Sequence, residues 1–288
     1  MKDEPGFIED IMRFLDNVLT DFINRAPESF DDAKYSAIRE RSVGLGVMGF
    51  HSFMQKNMIP IESVMAKVWN KKMFQLIDKE VNAASKKLAE ERGPCPDAAE
   101  YGINERFSNK TAIAPTASIS IICGGASPGI EPIAANSYTH KTLSGSFNVR
   151  NKYLRKILQK YNQDTNEVWS SITTNQGSVD HLDFLSQDEK DVFKTAFEID
   201  QRWLIDHSAD RTPYISQAQS LNVFIPADIH KKELHQIHYQ AWKKGLKSLY
   251  YCRSKSIQRA EVVNNSFAKT KKQKNQQTTD YEECLSCQ

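Results

Sequence analysis

The chain has 288 residues, enough for one large domain or two small ones, and its 40% hydrophobic and 26% charged residues are typical of globular proteins. A net charge of +2 argues against a nucleic-acid-binding module, and neither a transmembrane run nor a signal-peptide core is present. Five cysteines are too few for a disulfide scaffold, so we expect a cytoplasmic protein in which a Cys-x-x-Cys pair is redox-active or metal-binding.

The first predicted elements are two long amphipathic helices. Apolar residues recur at helical spacing through residues 7–25 and again through residues 63–92. Ser63 is suited to cap the start of the second helix, and Gly93, followed by Pro94, is suited to end it. One face of each helix is too apolar to be left in water, so both helices are expected to cover a core.

Between these helices, residues 44–49 read Gly-Leu-Gly-Val-Met-Gly, which matches the G-x-G-x-x-G pattern of dinucleotide-binding loops. That fold requires an apolar strand directly before the glycines, and residues 37–42 are too charged to form one. We therefore interpret the glycines as positions where the chain packs closely against a neighbouring segment.

Residues 111–123 predict a short buried strand, a tight loop and a following element. The loop, Pro115-Thr116-Ala117-Ser118, has no acid or base, but it offers hydroxyl and backbone N–H groups of the kind that bind phosphate. A capped turn is the commoner explanation of such a sequence, and it is favoured on these residues alone.

The next elements indicate an α/β fold. A short strand near residues 221–225 ends at Pro226, and a helix from about Lys231 to Lys244 is stopped by Gly245. Residues 246–251 then form a β-like run that ends in two tyrosines, and adjacent side chains on a strand face opposite sides. Helices that alternate with short buried strands are typical of α/β proteins.

From Arg253 onward apolar residues become sparse, which predicts a flexible tail. Near its end, Cys284 and Cys287 form a Cys-x-x-Cys pair that is complete as a redox-active dithiol but only half of a zinc site. Cys95 lies between two prolines and is expected to be structural, whereas Cys123 is a candidate core residue.

These features together resemble the C-terminal half of the large catalytic subunit of class I ribonucleotide reductase. The resemblance covers residues 7–288 and rests on several ordered motifs: Arg39-Glu40-Arg41-Ser42-Val43-Gly44-Leu45-Gly46, Ala114-Pro115-Thr116-Ala117-Ser118, Ile130-Glu131-Pro132, Lys141-Thr142-Leu143-Ser144-Gly145, Gln219-Ser220-Leu221-Asn222, Gly245-Leu246-Lys247-Ser248-Leu249-Tyr250-Tyr251 and the terminal cysteine pair.

The resemblance implies a fold and a set of functional residues. Residues 1–252 would form the C-terminal half of a ten-stranded α/β barrel, followed by a redox-shuttle tail over residues 253–288. Tyr251 would receive a radical and pass it to Tyr250, and the terminal dithiol would reduce an active-site disulfide. The substrate diphosphate would lie on the loop formed by Pro115, Thr116, Ala117, Ser118 and Ile119.

The sequence departs from this family in one respect. The family's radical cysteine lies in an Asn-x-Cys-x-Glu loop, and none of the five cysteines has those neighbours. The resemblance therefore implies that another chain carries this cysteine, together with the ATP and dNTP effector sites. We expect one piece of a split enzyme, of a kind that suggests a phage and the cytoplasm of its bacterial host. An experimental fragment and a decayed remnant are the alternatives.

The expected partners follow from the same resemblance. They are the N-terminal half of the large subunit, a metal-containing small subunit that supplies the radical, thioredoxin or glutaredoxin as reductant, and ribonucleoside diphosphates. No cofactor is expected on this chain itself. The helix near 231–244 is a candidate docking surface for the small subunit, with Leu234, Ile237, Tyr239 and Trp242 as its lining.

Two other functions compete with this hypothesis. A stand-alone thiol–disulfide oxidoreductase would use Cys284 and Cys287, but the tail lacks the strand and helix N-terminus that lower a thiol pKa in such enzymes. A nucleic-acid-binding module would use the basic run at residues 269–274, which the near-neutral net charge disfavours.

Overall fold

A computed structural model describes residues 4–142 and 145–254. Within these ranges, no helix is long and apolar enough to cross a membrane. The elements follow in this order: α1 Phe7–Arg25, α2 Asp31–Glu40, α3 Phe50–Lys56, α4 Val64–Arg92, α5 Pro96–Glu100, α6 Ala117–Ile122, β1 Ser137–Thr142, β2 Gly145–Arg150, α7 Lys152–Lys160, α8 Asn166–Thr174, α9 Gln187–Val192, α10 Gln201–Arg211, β3 Val223–Ile225, α11 Lys231–Lys243 and β4 Cys252–Ser254.

A ladder of parallel chain segments forms the centre of the fold. Parallel bridges join Leu45 to Thr111 and Ile113 to Gln219, and β3 pairs in parallel with β4. The segments therefore lie side by side in the order in which they occur in the sequence. Parallel neighbours require crossover connections, which the intervening helices provide. This arrangement confirms the predicted α/β fold class.

The long predicted helices are confirmed, and their ends have the expected capping groups. Helix α1 covers the predicted residues 7–25, and α4 begins after Ser63, whose hydroxyl accepts a hydrogen bond from the Ala66 N–H at 3.1 Å. Gly93 ends α4 with a φ of +84°. Gly245 follows α11 with a φ of +76°, in the left-handed region that favours glycine.

Three apolar clusters stabilise the fold. The largest joins α3, α4, α10 and α11 to the parallel ladder and includes Phe50, Phe74, Ile113 and Leu221. A second lies between α1 and α4. The third is separate from both and belongs to the helical unit α7–α9, in which Trp169, Ile172 and Phe193 are buried.

The structure corrects two predictions and adds two units. Residues 246–251 are not a strand, because strand pairing begins only at Cys252. Cys123 is exposed rather than part of the core, whereas Cys95 is fully buried. The antiparallel hairpin β1–β2 and the helical unit α7–α9 were not assigned from the sequence.

Most of the predicted tail lies outside the described residues. Arg253 and Ser254, which the sequence placed in that tail, lie in β4. The division at residue 252 therefore stays a prediction.

Candidate functional site

The hydroxyl-rich loop connects a strand segment of the ladder to α6. Thr116 has a φ of +54°, an unusual conformation for a β-branched residue, and α6 begins at the next residue. The first N–H groups of a helix have no partner inside it, so those of Ala117, Ser118 and Ile119 are directed at the space before α6. Ser118 and Ile119 are exposed, while Pro115, Thr116 and Ala117 are half-buried.

A second segment holds this loop in place. The Gly129 N–H donates to the Thr116 hydroxyl at 2.8 Å. Gly129 itself has a φ of +46°, and a Cβ at this position would lie 2.9 Å from the Ala114 carbonyl oxygen. Only glycine fits so close to the strand, so residues 128–131 are tightly packed against the loop.

The rings of the two tyrosines are in tilted contact and do not face opposite sides. The ring centroids of Tyr250 and Tyr251 are 4.1 Å apart at an interplanar angle of 51°, and both side chains are about half exposed. Their backbone is irregular, which removes the alternation that a strand would impose. The expectation that they face opposite sides is therefore wrong, and the wrong assignment of residues 246–251 as β-like is the reason.

Hydrogen bonds hold the backbone of the tyrosine pair against the ladder. The Tyr250 N–H donates to the Leu221 carbonyl at 2.8 Å, and the Val223 N–H donates to the Tyr251 carbonyl at 2.9 Å. The Tyr251 N–H donates to Oδ1 of Asn222 at 3.0 Å. The pair thus lies where β3 and β4 begin.

A buried carboxyl group lies behind this contact. Glu131 accepts hydrogen bonds from the Asn222 N–H at 2.8 Å and from Asn222 Nδ2 at 3.0 Å, and both residues are almost fully buried. Burial raises the pKa of Glu131, and the two hydrogen bonds from Asn222 oppose that rise. Both residues occur in the family motifs found in the sequence, but no role was predicted for either. The local sign of a buried role was an acidic residue between the apolar Ile130 and Pro132.

A second buried polar network supports the ladder. The guanidinium of Arg211 donates to Gln219 at 2.6 Å and to Asn70 at 2.9 Å, and it lies over the rings of Phe50 and Phe74. Full burial lowers the pKa of Arg211 to about 9. Its partners are neutral amides, the Ser208 hydroxyl and aromatic faces, so this network is best explained as support for the segment that carries Gln219.

The remaining candidates divide between the described and undescribed parts of the chain. Cys284 and Cys287 lie outside the described residues. No cluster of three His, Cys, Asp or Glu side chains that could hold a metal ion occurs within residues 4–142 and 145–254.

Gly44 and Gly46 pack against Ala112. A Cβ on Gly46 would lie 2.6 Å from the Ala112 carbonyl oxygen, which confirms the close-packing role predicted for these glycines.

The four residues proposed as the lining of a docking surface lie on two sides of α11. Ile237 is buried in the largest cluster, and Leu234 packs against it. Tyr239 and Trp242 are exposed, and their ring centroids are 5.6 Å apart. The two aromatic residues are therefore the most accessible of the four, while Leu234 is half-buried.

Comparisons with known proteins agree on one family. A family profile described as "Ribonucleotide reductase, barrel domain" matches residues 6–104 and 97–252. The chain is 49% identical over 269 residues to the ribonucleoside-diphosphate reductase large subunit of Invertebrate iridescent virus 6, covering 92% of this chain and 28% of that protein. It is 44% identical to the large subunit of Invertebrate iridescent virus 3, covering 90% of this chain and 41% of that protein.

A solved structure has the same fold. The alpha subunit of the Actinobacillus ureae class Id ribonucleotide reductase superposes with a TM-score of 0.82 at 37% sequence identity. The match covers 91% of this chain and 48% of that subunit. The chain thus spans less than half of the length of each of these three proteins.

Proposed function

The chain belongs to the ribonucleotide reductase barrel-domain family, and from this membership we propose that it is a working part of a class I ribonucleoside-diphosphate reductase. In this proposal it contributes the substrate-phosphate loop, two radical-transfer tyrosines and the shuttle dithiol. The cysteine that carries the thiyl radical would lie outside these 288 residues. The product is a deoxyribonucleotide for DNA synthesis.

The contact between the two tyrosine rings is the observation that carries the proposal. A phenol that gives up an electron also gives up its proton, so transfer between two phenols is easiest when the rings are in contact. With the ring centroids 4.1 Å apart, Tyr250 and Tyr251 satisfy this requirement. The electron and proton of the Tyr250 hydroxyl would pass to a Tyr251 phenoxyl radical, which leaves Tyr251 neutral and Tyr250 oxidised.

The loop at residues 115–119 is the proposed site for the substrate diphosphate. Thr116 and Ser118 offer hydroxyl groups, and Ala117 and Ile119 can contact an anion only through their backbone N–H groups. The left-handed conformation of Thr116 and its hydrogen bond from Gly129 fix the direction of these groups. Pro115 restricts the backbone before them.

The terminal dithiol would complete the redox cycle. Reduction of one ribonucleotide removes the 2′-hydroxyl as water and converts two active-site thiols to a disulfide. The thiols of Cys284 and Cys287 would reduce that disulfide by exchange and become a disulfide themselves. Thioredoxin or glutaredoxin would then reduce this pair, so electrons and protons balance over the cycle.

The proposed partners are those of a complete enzyme. The N-terminal half of the large subunit would supply the radical cysteine and the effector sites. A metal-containing small subunit would generate the radical and dock near the exposed Tyr239 and Trp242 of α11. The enzyme would act in the cytoplasm on ribonucleoside diphosphates.

A reconstitution experiment tests the proposal. The chain is mixed with the part of a large subunit that it does not span, a small subunit, thioredoxin and a ribonucleoside diphosphate, and deoxyribonucleotide is measured. We expect product only when all the chains are present. No product from folded and assembled chains would contradict the proposal, and disulfide reduction by this chain alone would support the oxidoreductase alternative.

Variants of the tyrosines sharpen this test. Tyr250→Phe and Tyr251→Phe keep the ring but remove the hydroxyl hydrogen, so each should abolish turnover while the complex still assembles. Tyr101→Phe is the matched control, because Tyr101 is 82% exposed and has no proposed role. Turnover that survives either of the first two substitutions would remove the substituted tyrosine from radical transfer.

A further inference from the structure

The Asn222 side chain binds the backbone of the tyrosine pair. Residues 250 and 251 lead directly into β4, and a regular strand at this point would place their rings on opposite faces. The backbone instead leaves the strand conformation at Tyr251. The Tyr251 N–H is held by Asn222 Oδ1 and its carbonyl by the Val223 N–H, so both sides of this residue are anchored.

The orientation of the Asn222 amide determines whether the first anchor exists. An asparagine amide presents an acceptor on one side and a donor on the other. Because Glu131 accepts from Nδ2, Oδ1 is turned toward the Tyr251 N–H. If Asn222 were turned over, two donors would face each other at Tyr251 and the anchor would be lost.

Glu131 is itself fixed relative to the proposed phosphate loop. Its second oxygen accepts from the Asn222 N–H, and its own N–H donates to the Pro128 carbonyl at 3.0 Å. Gly129, in the same turn, donates to the Thr116 hydroxyl. One short segment therefore contacts both the loop proposed for the substrate and the residue that anchors Tyr251.

We propose that Glu131 and Asn222 are positioning residues that hold Tyr251 in register with Tyr250, and so set the contact across which the radical would pass. The proposal rests on the proposed function, since it assigns these residues to the same reaction. Glu131 acts through the orientation of Asn222, and Asn222 acts through the backbone of Tyr251. Neither exchanges an electron or proton with the substrate.

A pair of substitutions tests this arrangement through its hydrogen-bonding logic. In Glu131→Gln, the new Nε2 donor faces Asn222, which turns over and loses the Tyr251 anchor. Asn222→Asp removes the side-chain amide that donates to Glu131 and places a second carboxyl group there. The double variant E131Q/N222D restores every contact, because the introduced glutamine amide would donate to one oxygen of the introduced aspartate while the other oxygen accepts from Tyr251. Rescue by the swap is not expected of residues that merely fill space.

The first readout is turnover by the reconstituted enzyme. E131Q and N222D should each lower kcat on the order of 100-fold, the effect of misplacing a reacting group by about 1 Å. KM for the ribonucleoside diphosphate should stay within about twofold, and the double variant should recover to within about tenfold of the parent. Glu189→Gln is the matched control, because Glu189 is also a buried, hydrogen-bonded glutamate but caps α9.

The second readout does not require turnover. A 3-fluorotyrosine at position 251 reports its surroundings by ¹⁹F NMR in the complete chain. Its resonance should move in E131Q, return in E131Q/N222D and stay unchanged in E189Q. A resonance that stays in place in E131Q would overturn the positioning role, and so would a double variant that behaves like the worse single variant in both readouts.

The two readouts separate this inference from the proposed function. A ¹⁹F response without any reductase activity in the parent would support the anchor and contradict the proposed function. Loss of kcat in E131Q with an unchanged ¹⁹F resonance would overturn the anchor alone. If E131Q fails to fold, Glu131→Asp replaces it, because that variant keeps the carboxylate but withdraws it from Asn222, and a smaller loss of the same kind is expected.

Discussion

At the scale of single residues, Asp16 joins three distant parts of the chain. It is fully buried and accepts from Arg41 at 2.9 Å, from Arg106 at 3.0 Å and from Arg92 at 2.6 Å. Burial would raise the pKa of Asp16, but the hydrogen bonds from Arg106, Arg92 and Arg41 outweigh it and hold this pKa below its ordinary value. The carboxylate is therefore charged at neutral pH.

Replacing this carboxylate should destabilise the whole fold. Asp16→Asn leaves Arg41 and Arg106 buried without their counter-charge, and loss of one partner of a buried ion pair typically costs about 3–5 kcal/mol. Urea unfolding at pH 7 measures the change. Asp21→Asn is the control on the same helix, because Asp21 pairs with Arg25 at the surface and should change stability by less than about 0.5 kcal/mol. Equal effects of the two variants would contradict the role of Asp16.

Two buried histidines should make stability depend on pH. Burial lowers the pKa of His51 to about 3 and that of His207 to about 4, from an ordinary value of 6.5. As the pH falls below 6.5, the unfolded chain binds protons that the folded chain does not, so stability is complete above this pH and is lost below it. Each histidine should contribute a slope of about 1.4 kcal/mol per pH unit.

Unfolding free energies at pH 7.5 and 5.5 test this prediction. The two histidines together should lower stability by about 2–3 kcal/mol between these values. His51→Gln should remove about half of that change, and His207→Gln should remove the other half. The comparison with H51Q is needed because the pKa of Glu131 is raised in the folded chain. Protonation of Glu131 therefore increases stability as the pH falls, which opposes the effect of the histidines. An unchanged difference in H51Q would show that His51 does not resist protonation.

The sequence could predict few of these residue roles. Asp16 lies in an amphipathic helix, where a polar residue is ordinarily explained by the solvated face, and its arginines come from three other segments. Glu131 and Asn222 belong to recognisable motifs, yet their contact joins two segments that no local pattern relates. The contact between the rings of Tyr250 and Tyr251 was missed, because the local alternation rule places their side chains on opposite sides.

At the scale of elements, local signals predicted helix ends well. Ser63, Gly93 and Gly245 act where capping chemistry places them, because a cap depends on nearby backbone groups only. Residues 246–251 were assigned wrongly, since a β-like composition does not reveal where pairing partners lie. Registered strand pairing begins with Val223 opposite Cys252, and only isolated hydrogen bonds join Tyr250 and Tyr251 to the neighbouring segment.

The helical unit α7–α9 should depend on one glycine for its attachment to the rest of the fold. Gly177 ends the turn after α8 with a φ of +83°, and its carbonyl accepts from the Asn136 N–H and side chain. A Cβ at this position would lie 2.3 Å from the Ala135 Cβ. No side chain fits there, so this contact between the unit and the segment before β1 requires glycine.

Gly177→Ala should therefore destabilise the chain by more than an ordinary glycine substitution. The positive φ costs about 1–2 kcal/mol, and the clash adds about 1–3 kcal/mol. Gly102→Ala is the matched control, because Gly102 has a φ of +68° and no atom within 4 Å of the added Cβ. It should show only the first cost. Equal losses of stability in urea unfolding would show that the contact with Ala135 does not matter.

At the scale of the whole molecule, the parallel ladder has two edges, formed by residues 43–46 and by β4. These are its two outer segments. Val43 and Leu45 direct their N–H groups at residues 109 and 110, so the N–H groups of Gly44 and Gly46 point away from the ladder. At the opposite side, β4 pairs with β3. The barrel itself was predictable only from the ordered motifs, because pairing between Leu45, Thr111 and Gln219 joins residues that are far apart in sequence.

A closed barrel requires partners for both outer segments, which hydrogen exchange can detect. We expect the amides of Gly44 and Gly46, and those on the outer side of β4, to exchange slowly only after the chain is mixed with the part of a large subunit that it does not span. The Ala112 and Ile113 amides, already bonded within the ladder, serve as the internal control and should be protected in both states. The interface should be of obligate size, above about 2,000 Å². A stable complex whose outer segments still exchange rapidly would place the mating surface elsewhere.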